Sequence, residues 1–292
     1  MEHRSGFVNI LGNPNVGKST LMNILVGEKL SVTTPKAQTT RHRIMGILTG
    51  EGYQIVYSDT PGILNPKYKL QSVMMRSVES ALDDADLILY VTDVIETVSK
   101  NGEHLARILA SPVPKIIVIN KIDLSNQSDL ENLVDMWSQM APGVPVLPVS
   151  AIKKFNTDLL LREIISRLPE GPPYFPEDQL TDRFDRFFVT EIIRGKIFET
   201  YQKVIPYSVE VEIESYHEEP SINRISAVIY VARDSQKGII IGHKGSMLKR
   251  VGTAARKDME EFLGKKVFLE LYVRVAHEWR DNPRMLKKFG YL

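Results

Sequence analysis

GNPNVGKST, residues 12–20, stands between the apolar run Phe7–Leu11 and the helix-spaced stretch Ser19–Leu25. It satisfies G-x-x-x-x-G-K-[ST], and its placement carries the meaning: a strand ends, the chain curls and a helix begins. Glycines at 12 and 17 let the backbone turn tightly, so that N–H groups along Asn13, Asn15, Val16, Gly17, Lys18, Ser19 and Thr20 converge on an anion. Lys18 adds a positive charge for β- and γ-phosphates, and Ser19 adds a hydroxyl suited to Mg2+. Such a strand–loop–helix unit opens a parallel α/β sheet.

Outward from the loop, apolar runs alternate with helical spacing. Strands are predicted at Phe7–Leu11, Tyr53–Ser58, Leu87–Thr92, Lys115–Asn120 and Val146–Val149, most of them nearly unbroken Ile, Val and Leu. Unbroken runs mark strands covered on both faces. Helices are predicted at Ser19–Leu25, Val73–Leu82, Glu103–Leu109 and Leu130–Met140, and Arg43–Thr49 reads as an extra edge strand. The expected architecture is a mostly parallel, doubly wound sheet over residues 1–168. It stops at LPEGPPYFPEDQLTD, residues 168–182, where four prolines predict a stiff connector over 169–182. Beyond it, helix-like Phe187–Tyr201, strands Ser208–Glu214 and Ile225–Arg233, a glycine stretch, a helix to Leu263 and a strand Val267–Val275 predict an α+β module over 183–292.

Composition narrows the classes. The chain of 292 residues has no cysteine, which excludes disulfides, thiolate metal sites and cysteine nucleophiles. No apolar run approaches the ~20 residues of a membrane span, and MEHRSGFVNILG enters a strand pattern too early for a signal peptide, so a cytoplasmic location is expected. The net charge of +1 is divided unevenly: residues 1–182 hold 17 Lys and Arg against 21 Asp and Glu, while residues 183–292 hold 20 against 15. A basic rear third suits a polyanionic partner.

The phosphate loop alone does not choose a base. NKID, residues 120–123, does so at the end of the Lys115–Asn120 strand. Asp123 can accept from guanine N1–H and the exocyclic amine, whereas adenine would leave the carboxylate unpaired, a discrimination of roughly 10⁴. Asn120 and Lys121 brace the loop and pack along the base. Ser150, Ala151 and Ile152 follow the last strand, with the Ala151 N–H placed for guanine O6. DTPG, residues 59–62, supplies Asp59 towards Mg2+ and the Gly62 N–H towards the γ-phosphate. TTPKAQTTR, residues 33–41, offers threonines to close over the metal.

With these motifs in order, the front half resembles the Ras-like GTPases of the translation-factor class. The resemblance implies GTP and GDP as ligands, Thr40 as the Mg2+ ligand that registers the γ-phosphate, and a catalytic set of Lys18, Thr40, Asp59 and Gly62. Two departures stand out. Ile63 occupies the position of the water-orienting glutamine, so hydrolysis is expected to be slow without another positive charge. Asn15 resembles the asparagine of K+-binding members, which implies K+ held by Asn15 with Thr34 and Thr39.

GIIIGHKGSMLKR, residues 238–250, is a second glycine loop without the lysine of the first. Gly242-His243-Lys244-Gly245 lies between helix-like segments and, with the surrounding element order, resembles the GXXG loop of type II KH domains, which clamp about four unpaired nucleotides. On that reading Ile239, Ile240 and Ile241 line the groove, and Lys237, Lys249 and Arg250, with Arg256 and Lys257, neutralise phosphates. Trp279, Phe289 and Tyr291 in the basic tail are expected to pack rather than to stack on bases.

A Ras-like GTPase joined by a proline-rich connector to a KH module is similar to the bacterial GTPases of small ribosomal subunit assembly. That resemblance implies binding near the 3′ end of small-subunit ribosomal RNA, help in its maturation, peripheral association with the inner face of the cytoplasmic membrane, and a monomer. The alternatives are a membrane-associated signalling GTPase whose rear domain binds protein, and an ATP-driven RNA enzyme.

Overall fold

The computed structural model describes residues 3–96, 102–202 and 204–292. These divide into two compact units, one formed by residues 1–66 and 74–182, the other by 67–73 and 183–292.

The first unit opens with β1 (Arg4–Leu11), α1 (Lys18–Val26), β2 (Ile44–Gly50) and β3 (Tyr53–Asp59). There follow α2 (Lys69–Asp83), whose residues up to Val73 cluster with the second unit, β4 (Leu87–Asp93), α3 (Gly102–Ala110), β5 (Lys115–Asn120), α4 (Gln127–Met140), β6 (Val146–Pro148) and α5 (Thr157–Arg167). The six-stranded sheet runs β2-β3-β1-β4-β5-β6. β2 is antiparallel to β3, and the other neighbours are parallel. Every residue of β4 is buried, and so are five of the six in β5, which is why those runs carry no polar alternation. Because the sheet is parallel, the loops after β1, β3, β5 and β6 all leave from one edge, where ligands of doubly wound sheets bind.

Residues 169–182 run against this sheet. Gln54, itself fully buried, accepts from the Tyr174 and Phe175 N–H groups at 2.7 and 2.9 Å and donates to Phe175 O at 2.8 Å. The Ile47 N–H of the edge strand donates to Leu180 O at 2.8 Å, and Thr181 Oγ1 donates to Met45 O at 2.7 Å.

The second unit holds α6 (Asp185–Thr200), β7 (Val209–Glu218), β8 (Ile222–Val231), α7 (Asp234–Ile241), α8 (Ser246–Leu263), β9 (Lys266–Val275) and α9 (Pro283–Lys288). β8 is central, antiparallel to β7 and parallel to β9. Its core joins Val189, Ile193 and Ile197 of α6 to Ile225, Ala227 and Ile229 of β8 and to Val251, Ala255 and Met259 of α8. The element order and the parallel β8–β9 pair are those of a type II KH domain. Trp279 is fully buried, donates from Nε1 to Ser208 O at 2.9 Å and meets Phe289 edge-on at 5.5 Å. Tyr291 OH donates to Glu210 Oε2 at 2.6 Å. The tail aromatics are therefore packing groups.

Segment 67–73 clusters with this unit. The Leu70 N–H donates to Arg280 O and the Lys69 N–H to Asp281 Oδ1, both at 2.9 Å, and the Arg280 guanidinium stands 4.5 Å over the Tyr68 ring.

Candidate functional site

The phosphate loop closes a cleft of about 430 Å3 whose walls include Asn15, Gly17, Lys18, Ser19, Thr40 and Gly62. Its shape requires glycine at 17. That residue sits at φ 95° at the start of α1, and a Cβ there would lie 2.3 Å from Asn120 Nδ2. The same amide explains the asparagine of NKID. Asn120 donates to Val16 O at 3.0 Å and accepts from the Ala151 N–H at 3.1 Å, so one buried side chain ties the phosphate loop to the loop after β6.

Lys18 is buried and donates to Gly12 O at 3.1 Å and Asn13 O at 2.9 Å. Burial lowers its pKa to about 8, and the nearby Asp59 carboxylate resists that shift. Asp59 is fully buried, and its pKa is raised by the same desolvation, offset in part by Lys18 and the Ser19 hydroxyl. Ser19 Oγ donates to Asp59 Oδ2 at 2.6 Å, Thr40 Oγ1 lies 2.9 Å from Ser19 Oγ, and Thr40 reaches the same carboxylate oxygen at 3.3 Å. Asp59 Oδ1 is buried with no hydrogen-bond partner. Two hydroxyls and a carboxylate with an orphaned buried oxygen form a hard-oxygen set that fits Mg2+. Within it, Ser19, Thr40 and Asp59 would hold the ion.

At the base end, Ser150 Oγ donates to Asp123 Oδ1 at 2.5 Å, which orients the carboxylate and leaves Oδ2 for a ligand. Lys121 sits at φ 61°, and its ammonium bridges Asn15 O and Asp93 Oδ2, the latter at 2.6 Å. Asp93 ends β4 and accepts from the Ile95 and Glu96 N–H groups through its other oxygen. Sequence reading missed it. A lone aspartate at a strand end has no motif, although the strand-end position shared with the nucleotide loops was a usable signal. Ala151 is buried, and Ile152 is 71% exposed beside the cleft.

Ile63 is 1% exposed, and its N–H donates to Gly12 O at 3.1 Å. The position of the missing glutamine is therefore turned into the core, and Gly62 alone of this pair borders the cleft. Thr34 and Thr39 line the same cleft as Asn15, with their hydroxyls 2.6 Å from each other and Thr39 donating to Lys36 O at 2.7 Å.

In the second unit, Gly242 (φ 70°) and Gly245 (φ 78°) flank His243 and Lys244, with Lys244 also left-handed at φ 49°. His243 and Lys244 are exposed, as are Lys237, Lys249 and Arg250. A Cβ at Gly245 would meet nothing within 4 Å, so open space faces that turn. Beside it a groove of about 370 Å3 lies between α8 and β9, bordered by Gly245, Leu248, Lys249, Thr253, Leu269 and Leu271.

One expectation is corrected. Ile240 does not line the groove: it is fully buried in the module's core, and its carbonyl accepts from Tyr201 OH at 2.6 Å. Helical spacing turns successive residues by about 100°, so three adjacent isoleucines cannot share one face. Ile239 is 53% exposed, and Ile241 packs against the core edge. The apolar floor comes instead from Leu248, Leu269 and Leu271. The overlooked clue was Gly252 in mid-helix. A Cβ there would lie 3.3 Å from Leu271 Cδ1, so the glycine lets α8 approach β9.

A phosphate-loop GTPase fold with a guanine-reading loop, followed by a KH domain, defines the class. Residues 7–121 match the family model described as 50S ribosome-binding GTPase, and residues 204–280 match that of the KH domain. The chain is 47% identical to GTPase Era of Geotalea daltonii, over 99% of this chain and 98% of that one. It is 41% identical to GTPase Era of Staphylococcus haemolyticus, over 100% and 98%. The crystal structure of an Aquifex aeolicus Era variant bound to GDP·AlF4− superposes with a TM-score of 0.95 at 39% identity, covering 99% of both chains. A structure of Era with MgGDPNP and nucleotides 1506–1542 of 16S ribosomal RNA matches with the same score, identity and coverage. The chain belongs to the GTPase Era family. It is a GTPase, using GTP and GDP with Mg2+.

Proposed function

We propose that this chain is a GTP-driven switch that binds small-subunit ribosomal RNA near its 3′ end and assists small-subunit assembly and rRNA maturation. The supporting observation is the pairing of two unlike phosphate-directed loops in one chain: a nucleotide cleft at Gly12–Thr20 and a basic-rimmed groove beside Gly245, the last residue of the Gly242–Gly245 loop. The RNA bound by the Era of known structure lends that groove its ligand. On this reading residues 1–168 form the GTPase domain, 169–182 the connector and 183–292 the RNA-binding domain.

The chain's own groups divide the work. Lys18 leaves the Gly12 and Asn13 carbonyls for the β- and γ-phosphates, and the loop N–H groups from Asn13 to Thr20 surround them. Asp123, held by Ser150, reads guanine, and Ala151 and Lys121 frame the base. Mg2+, when bound, neutralises charge on the phosphate oxygens. Thr40 and Gly62 report the γ-phosphate, so its loss releases the Thr33–Arg41 segment. Asn15, Thr34 and Thr39 would hold K+, which would supply positive charge beside the phosphates where the phosphate loop has no arginine. Gly242, His243, Lys244 and Gly245 clamp the RNA backbone, with the bases over Leu248, Leu269 and Leu271, Ile239 exposed nearby, and Lys237, Lys249 and Arg250 on the phosphates. The chain works as a cytoplasmic monomer with peripheral attachment to the inner membrane face; among the described residues no helix is long and apolar enough to cross a membrane.

The test is binding of a labelled oligoribonucleotide with the 16S 3′-terminal sequence, with GDPNP or GDP present. Tighter binding with GDPNP supports the switch, and equal affinities refute it.

A further inference from the structure

Arg43 is the last residue of AQTTRHR, residues 37–43, just before the first residue of β2, Ile44, and none of the roles given above to that stretch falls on it. Its guanidinium sits in a polar cluster outside the cleft. Nε and Nη2 donate to Ser58 Oγ at 3.0 and 2.9 Å, and Nη2 also donates to Asn9 Oδ1 at 3.2 Å. Nη1 and Nη2 grip both carboxylate oxygens of Asp84, at 2.5 and 3.0 Å. Asn9, fully buried, completes the set by donating to Asp84 Oδ1 at 2.7 Å and to Ala81 O.

The cluster's position gives it meaning. Asn9, Ser58 and Met45 are register partners on adjacent strands β1, β3 and β2. Ser58 precedes Asp59, and neighbouring residues on a strand face opposite sides of the sheet. Arg43 therefore locks the back of the strand whose front presents Asp59 to the cleft. Thr40 lies three residues upstream of Arg43, and its hydroxyl already stands 2.9 Å from Ser19 Oγ. Asp84 follows the last residue of α2, the helix that begins after the DTPG segment. One side chain thus joins the downstream root of the threonine loop to the Asp59 strand and to the far end of α2.

We propose that Arg43 is a positioning residue for the triphosphate state: it fixes the root of the Thr33–Arg41 loop so that Thr40 is presented at the Mg2+ site. A fixed root lowers the entropy lost when the loop orders over the γ-phosphate. With GDP bound the loop is released and gains nothing from the anchor. The effect must therefore appear as a ratio of affinities rather than as a general weakening. The fork is specific to arginine, because lysine cannot serve two acceptors and a bidentate carboxylate together. The inference rests on the nucleotide half of the proposed function and not on its RNA half.

The experiment titrates the full chain with fluorescent mant-GDP and mant-GDPNP in Mg2+, for the parent, Arg43→Ala, Arg43→Lys and Asp84→Asn, with amide hydrogen exchange over residues 33–41. Arg43→Ala should weaken mant-GDPNP on the order of tenfold and leave mant-GDP within about twofold of the parent. It should also raise exchange in 33–41 with GDPNP bound. Arg43→Lys should not restore the ratio. Asp84→Asn, which alters a half-exposed carboxylate and leaves Arg43 in place, should shift the ratio in the same direction by less, and it carries the test if Arg43→Ala does not fold. Equal losses for the two nucleotides, or an unchanged ratio in both folded variants, would overturn the proposal. Parent binding of mant-GDP keeps that result separate from a failure of the nucleotide reading.

Discussion

Asp93→Asn tests how the guanine end of the cleft is held. Lys121 Nζ lies 2.6 Å from Asp93 Oδ2, with the aspartate side chain 6% exposed and the lysine 25%. At an effective dielectric of 20, unit charges at that separation attract by roughly 6 kcal/mol. Desolvation of the aspartate returns much of this, and solvent around the lysine screens more. About 2 kcal/mol remains, or roughly thirtyfold in an equilibrium constant. The asparagine carbonyl can still accept from the Ile95 and Glu96 N–H groups, so the turn after β4 survives. The pair is already made in the empty protein, so its loss there lowers stability by about that amount. With nucleotide bound Lys121 must also be held at Asn15 O and along the base without its partner, so binding weakens as well. Titration of mant-GDP into the full chain, with thermal melting in parallel, should show affinity weaker by several-fold and a melting temperature several degrees below the parent's. An affinity within twofold of the parent in a folded variant would refute the idea that Asp93 orients Lys121.

Gly17→Ala places a methyl 2.3 Å from Asn120 Nδ2; mant-GDP affinity should fall on the order of a hundredfold with the circular dichroism spectrum unchanged. Asp123→Asn should lower guanine nucleotide affinity about 10⁴-fold and admit xanthosine nucleotides, read by competition titration. GTP turnover, followed by phosphate release, should be faster in KCl than in NaCl, and equal rates would remove K+ from the site. Trp279→Ala deletes a fully buried ring and its bond to Ser208 O; it should cost about 3–5 kcal/mol in urea unfolding of the chain.

How much of this was legible depended on the range of the interactions concerned. The five parallel strands were readable because burial on both faces leaves continuous apolar runs, and Lys115–Asn120 coincides with β5 end to end. Ends governed by capping were harder. α2 begins at Lys69 rather than Val73, because its first turn is held by Arg280 and Asp281, more than 200 residues away. α5 (Thr157–Arg167) and the short α9 were not anticipated; α9 is started by Asn282, which accepts from the Arg284 and Met285 N–H groups. β7 extends to Glu218 past a register shift between Ile213 and Ser215 that breaks its alternation. In the cleft, residues within motifs were nameable from spacing alone. Asp93 was not, since Lys121 lies 28 residues away, and Arg43, though inside AQTTRHR, showed no role there, since its side-chain partners lie 15 to 41 residues away. Ile240 is the instructive case: composition suggested an apolar wall, but helical geometry allows only some of three neighbours to face it.

The pairing of the Ile47 N–H with Leu180 O and of Met45 O with Thr181 has a consequence during synthesis. A ribosome making this chain finishes every strand of the first sheet some thirty residues before Leu180 exists. Until the proline-rich stretch clears the exit tunnel, the rim of the nascent sheet stays open to strand addition by neighbouring chains. The connector thus acts late, as the piece that seals a half-made domain against its own copies.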